Sequence, residues 1–68
     1  MESLYRIRYD ARDRLLSSWE KAMELVRAFE TFSRETEEPE VAETFAEFAE
    51  DEALIAAKLF ELLKKYDK

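Results

Sequence analysis

The chain has 68 residues, 41% of them charged, and a net charge of −6. It contains no Cys, His or Gly, which excludes disulfides, the usual zinc arrangements, nucleophile-base pairs built on Cys or His, and Gly-rich phosphate loops. A chain this short builds one domain, and with those staples ruled out the remaining one is oligomerisation through good helix packing.

No stretch resembles a signal peptide, and no apolar run approaches the roughly 20 residues that span a bilayer. The expectation is a soluble, cytoplasmic chain without membrane contact. Asn and Gln are absent as well, and few thermolabile residues beside abundant Glu, Lys and Arg fit a thermophilic source.

The opening of the chain carries two patterns. Tyr5, Ile7 and Tyr9 alternate with Arg6, Arg8 and Asp10 at the period of a strand, while Leu4, Ile7, Ala11 and Leu15 form a helical stripe. Helix is preferred, because a lone strand would have no partner. Ser3 can cap that helix, although Arg6 stands where a capping box places Glu or Gln. From Leu15 the spacing is regular: Leu15, Trp19, Ala22, Val26, Phe29 and Ser33 step by four and three. Leu25 and Phe32 flank them on one side, Leu16 and Met23 on the other. The apolar arc is about 200° wide, more than one partner helix covers, so a second contact surface is required.

The turn signal is Thr36-Glu37-Glu38-Pro39. Proline is tolerated in the first turn of a helix and disfavours helix in the residue before it. The reading is therefore a single helical-hairpin domain over residues 1–68, with helix 1 at about 3–35, the turn at about 36–38 and helix 2 at about 39–66. So short a connection forces the helices antiparallel.

In helix 2, Val41, Phe45, Phe48, Ile55, Leu59, Leu62 and Tyr66 recur at steps of four and three, with Glu52 filling the one break. At about 100° per residue, this stripe predicts that Glu52 points into the core, and Ala42, Ala49, Ala56 and Leu63 widen one flank. Leu54 falls on the far side and is expected to be exposed.

Charge is segregated along the chain. Residues 35–52 hold nine acids and no base, residues 53–68 sum to +2 and residues 1–19 to +1. Acids at the start of helix 2 and bases toward its end suit the helix dipole. The hairpin then has an acidic turn and a basic open end. Two hairpins of opposite polarity would set acid against base and cover the surplus apolar arc. The fold expected is all-α, an antiparallel homodimeric four-helix bundle. Its interface residues would be Leu15, Trp19, Val26, Phe29, Phe45, Phe48, Ile55, Leu59 and Leu62.

The stretch Val41-Ala42-Glu43-Thr44-Phe45-Ala46-Glu47-Phe48-Ala49-Glu50-Asp51-Glu52-Ala53-Leu54-Ile55-Ala56-Ala57-Lys58-Leu59-Phe60 resembles the second helix of the rubrerythrin-type, ferritin-like di-iron proteins. The likeness extends over most of residues 19–64. It implies a ferritin-like bundle in which the metal site is built from one Glu on the first helix and a Glu-x-x-His on the second, each supplied twice. Carried over, the second-helix Glu is Glu52, the His position is Ile55 and the first-helix Glu position is Trp19. Two of the three ligands per hairpin are thus replaced, and Glu20 projects about 100° of rotation away from Trp19.

A core carboxylate must be paired, protonated, hydrogen-bonded or coordinating a cation. Glu52 is read first as a satisfied core residue, bonded to Trp19 Nε1, to a basic side chain, or to its symmetry mate through a shared proton. The alternative is a divalent-cation or di-iron site at the dimer core, formed by Glu52 of both chains with Glu20, Glu24 or Ser18; an all-oxygen set suits Mg, Ca or Mn better than iron. Trp19 at a seam position reads as core rather than as a ligand site. Tyr5, Arg6, Arg8, Tyr9, Arg12 and Arg14 interleave aromatics with bases as some nucleic-acid surfaces do, but Asp10, Asp13 and the negative overall charge oppose nucleic-acid binding. The function expected is a non-enzymatic structural or protein-interaction module without a cofactor, partnered by a second copy and an unidentified protein. A reduced, carboxylate-bridged metal-binding oxidoreductase is the alternative.

Overall fold

The computed structural model describes residues 4–66, with side chains described from residue 10 onward. The chain is a hairpin of two packed helices, α1 (Leu4–Glu35) and α2 (Pro39–Lys64), and among the described residues there is no strand. The alternating opening is helical from Leu4. A period of two that has no neighbouring strand to pair with does not hold the chain in a strand. Ser3 and its capping role lie outside the described residues, as do the side chains of Tyr5, Arg6, Arg8 and Tyr9.

The turn is compact because both of its ends are tied down. Thr36 N donates to Phe32 O at 2.9 Å, carrying the helical bonding pattern one residue beyond α1. Glu38 is the N-cap of α2 in extended backbone (φ −73, ψ 114), and its carbonyl accepts a bond from Ala42 N at 2.9 Å. Pro39 occupies the first turn, where a missing N–H removes only a donor that has no intrahelical partner. Across the turn, the Ser33 hydroxyl donates to Ala42 O at 2.8 Å, which sets the register between the helices.

At its far end α2 stops at Lys64 rather than at Tyr66, two residues short of the expected end. Lys65 N donates to Leu62 O at 3.2 Å and Tyr66 N to Leu63 O at 2.9 Å. These bonds span three residues instead of four and tighten the last turn, satisfying carbonyls that would otherwise lack a partner.

Packing departs from the expected stripe in one respect. The buried apolar side chains among the described residues are Ala22, Ala49, Ala56 and Leu63. In α2 the seam is thus the column Ala42, Ala49, Ala56 and Leu63, which the spacing of the large residues had placed on a flank. Val41, Phe48 and Ile55, expected to face inward, are 43%, 45% and 50% exposed. Alanine decides the rotation: helix axes approach to the distance that contact side chains allow, and a column of methyl groups allows the closest approach. Phe45 and Leu59, on the seam's other edge, are half-buried.

Aromatic rings fill the turn end, where no alanine meets alanine. Phe45 packs against Phe29 (centroids 6.0 Å apart), Phe32 (5.4 Å) and Phe48 (6.5 Å), and Phe29 lies 5.7 Å from Phe48. Toward the open end Trp19 lies 5.9 Å from Phe60, and Lys64 Nζ stands 5.4 Å from the Phe60 ring centre. Such ring pairs contribute roughly 0.5–1.5 kcal/mol each beyond the area they bury.

Candidate functional site

The hairpin has two sides, and the residues just before and just after the seam form them. In α1 Leu25 and Phe32 each precede a seam residue, Val26 and Ser33; in α2 Val41, Phe48 and Ile55 precede Ala42, Ala49 and Ala56. Because the helices run in opposite directions, residues that precede the seam in each lie on the same side of the pair. This side therefore carries Leu25, Phe32, Val41, Phe48 and Ile55, all between 41% and 50% exposed. It is an apolar face running from the turn past the middle of α2, and contiguous exposed apolar surface of this kind marks an interaction site.

The opposite side is smaller and concave. Trp19, Met23, Val26, Ala53, Ala56, Ala57 and Phe60 line an open, largely apolar groove of about 340 Å³. Trp19 is half-buried, serves as a wall there and packs on Phe60.

Of the residues expected at an interface, Leu15, Trp19, Val26, Phe29, Phe45, Leu59 and Leu62 are half-buried within the single hairpin, and Phe48 and Ile55 are exposed. Leu25, Phe32 and Val41 join Phe48 and Ile55 on the apolar face although the stripe did not mark them as interface residues. The available signal was the alanine column itself: alanines at intervals of seven in α2 indicate where the two backbones meet, and the large residues one position earlier must then face elsewhere.

Glu52 is half-buried at the edge of the seam rather than enclosed. The cause is the same rotation, which brings the alanine column to α1 and leaves the carboxylate at the margin of the contact. Among the described residues no buried polar side-chain atom lacks a hydrogen-bond partner. No three acidic side chains among them gather closely enough to hold a metal ion. Glu20 and Glu24 line a shallow depression on the outer surface of α1 with Ser17, Lys21 and Arg27, and Ser18 is exposed. Within one chain the residues proposed as companions of Glu52 are therefore not brought to it. Ile55 and Trp19, which the resemblance would set in the other two ligand positions, have no side chain that ligates iron, so the residues present do not fit a di-iron centre.

Leu54, expected on the outer surface, is 72% exposed. Among the described residues no helix is long and apolar enough to cross a membrane. Comparison of the chain with models of known protein families, with characterised proteins and with solved structures finds no match.

Proposed function

We propose that this chain is a structural or protein-interaction module, a ferritin-like helical hairpin that pairs with a second copy of itself into a four-helix bundle and performs no catalysis. The observation that carries the reading is the exposed apolar face of Leu25, Phe32, Val41, Phe48 and Ile55. Its counterpart is the thinness of the intrachain seam, where three of the four buried side chains among the described residues are alanines.

Magnitudes support the need for a partner. Burying a methyl group contributes about 0.8 kcal/mol, whereas ordering one residue's backbone costs about 1–2 kcal/mol. With Leu63 the one large side chain that is buried among the described residues, the seam gives a lone hairpin of this length little to offset that cost. A second copy laid on the apolar face would bury five large side chains from each chain, at about 1.5–3 kcal/mol for each side chain that becomes fully covered. Small helical domains commonly reach stability by this route.

The test is the mass of the unmodified chain in solution, by sedimentation equilibrium over a range of concentrations, with and without EDTA. A dimer whose thermal midpoint rises with protein concentration and is unchanged by chelator is expected, because a partner that binds only the folded chain stabilises it by mass action. A monomer at every concentration would overturn the reading. A dimer that loses stability in EDTA and regains it with manganese or magnesium would instead support a divalent-cation module built around Glu52, whose oxygen ligands suit such ions.

A further inference from the structure

The self-association proposed above leaves open which side is covered and in which direction the second copy runs. We infer that the second copy covers the side bearing Leu25, Phe32, Val41, Phe48 and Ile55, in opposite polarity, about a two-fold axis that crosses α2 between Asp51 and Glu52. The inference rests on the association reading, and on three features of the molecule that agree with one another.

The first is geometric. When two hairpins stack face to face with opposite polarity, the two-fold axis lies across the helices, so α2 must lie over the partner's α2 and α1 over the partner's α1. Maximal overlap puts the axis at the midpoint of α2. That helix runs from Pro39 to Lys64, and its midpoint falls between Asp51 and Glu52. About this point the apolar column is self-complementary. Phe48 meets the partner's Ile55, and Val41 meets the partner's Leu62, a half-buried residue that continues the column one heptad beyond Ile55. Each pair sets an aromatic or β-branched residue against an aliphatic one, while the axis itself brings Asp51 and Glu52 to the partner's Glu52 and the partner's Asp51, the one place where this arrangement sets acid against acid.

The second is the hairpin's own register, which was set independently by the intrachain packing. Ser33 bonds Ala42, Phe29 touches Phe45 and Phe48, and Trp19 touches Phe60. Continuing that register along the pair puts Leu25 level with the middle of α2. Leu25 is an exposed apolar residue of α1 on the same side. The axis that centres α2 therefore also sets Leu25 against the partner's Leu25.

The third is charge. Residues 35–52 carry nine acids and no base, while residues 53–66 carry Lys58, Lys64 and Lys65 against Glu61. The acidic run ends at Glu52, one residue past the proposed axis, and the next charge is Lys58. Opposite polarity lays each acidic half over the partner's basic half and brings Glu38 to the partner's Lys65. The same polarity would crowd both acidic halves at one end, where like charges repel. The area is adequate as well. The molecule is 19 Å wide in its second dimension, and 26 residues of α2 make a face about 39 Å long. That approaches the roughly 800 Å² per partner of a standard stable interface.

The test uses the absence of Cys, which allows single-Cys variants of the full chain to be spin-labelled cleanly at exposed positions. Sedimentation of the unlabelled chain comes first, and a monomer would remove the association reading itself. Given a dimer, the label on Glu38→Cys is expected about 40 Å from its mate, twice the distance from residue 38 to the axis at 1.5 Å per residue. A separation below about 20 Å, near the spacing of adjacent helices plus two labels, would mean the same polarity and overturn the inference while leaving the association intact. The face is read by a second pair of variants. Labels on Asp51→Cys are expected closer together than labels on Ala53→Cys, and the reverse order would place the second copy on the groove side and overturn the choice of face.

Discussion

Two columns of residues run side by side along α2, one position apart in sequence, and they meet different fates. Ala42, Ala49 and Ala56 pack against α1, with Ala49 and Ala56 buried, while Val41, Phe48 and Ile55 remain about half exposed. The larger residues would bury more apolar area, yet the smaller ones hold the inward position. Close approach of two backbones is worth more to a hairpin than the area of one large column, because it also brings Phe45, Leu59 and Leu62 partly into the same contact. The column displaced from the seam becomes a surface available to a second molecule. One helix thus carries both the intrachain seam and an exposed apolar column, and the division between them is a rotation about its axis.

Substitutions in the two columns should separate these roles. The largest effect is expected from Ala56→Asp, since a residue only 3% exposed would become an unpaired carboxylate between two helices, at a cost of several kcal/mol. That is comparable with the entire stability of a small domain. Circular dichroism should show no cooperative thermal transition, and a transition like that of the parent chain would place the seam elsewhere.

Next is Phe48→Asp on the exposed column, which adds charge to a face that the proposed dimer desolvates. A loss of at least 2 kcal/mol in association is expected, as for a central anchor residue. Sedimentation would read this as a dissociation constant raised thirtyfold or more, at about 1.4 kcal/mol per factor of ten. An unchanged dimer would show that the column is not the association surface.

Glu52→Leu tests the point where the two columns and the proposed axis meet. Replacing a carboxylate that the proposed dimer would bury beside its mate should leave that dimer as tight or tighten it, by up to about 1–4 kcal/mol. If dimerisation were abolished instead, Glu52 would be an essential participant, and metal analysis of the purified protein would be the next measurement. The smallest effect belongs to Leu54→Lys. At 72% exposure, away from both columns, it should shift stability and association by less than about 0.5 kcal/mol.

Much of the fold was legible in the residues. Pro39 with three acids in the residues around it marks the turn, the regular steps of Leu15 to Ser33 mark α1, and the absence of Gly removes other places for the chain to reverse. Short-range physics governs each of these features. The seam of α2 was less legible, because Val41, Phe48 and Ile55 obey the same periodicity as Ala42, Ala49 and Ala56. Ranking columns by hydrophobic size selected the wrong one for the intrachain contact. Glu52 belongs to the same stripe and is half-buried in the single hairpin.

By itself, then, the sequence determined that there are two helices, where they turn, that they run antiparallel, and that charge is divided along α2 near Glu52. All of these depend on local backbone preferences and on the order of residue types. Only the tertiary structure decided which face of each helix meets the other, because a rotation of less than a third of a turn leaves the periodicity unchanged. The choice belongs to the packing of two surfaces, in which the alanine methyls of one helix set how near the other can come.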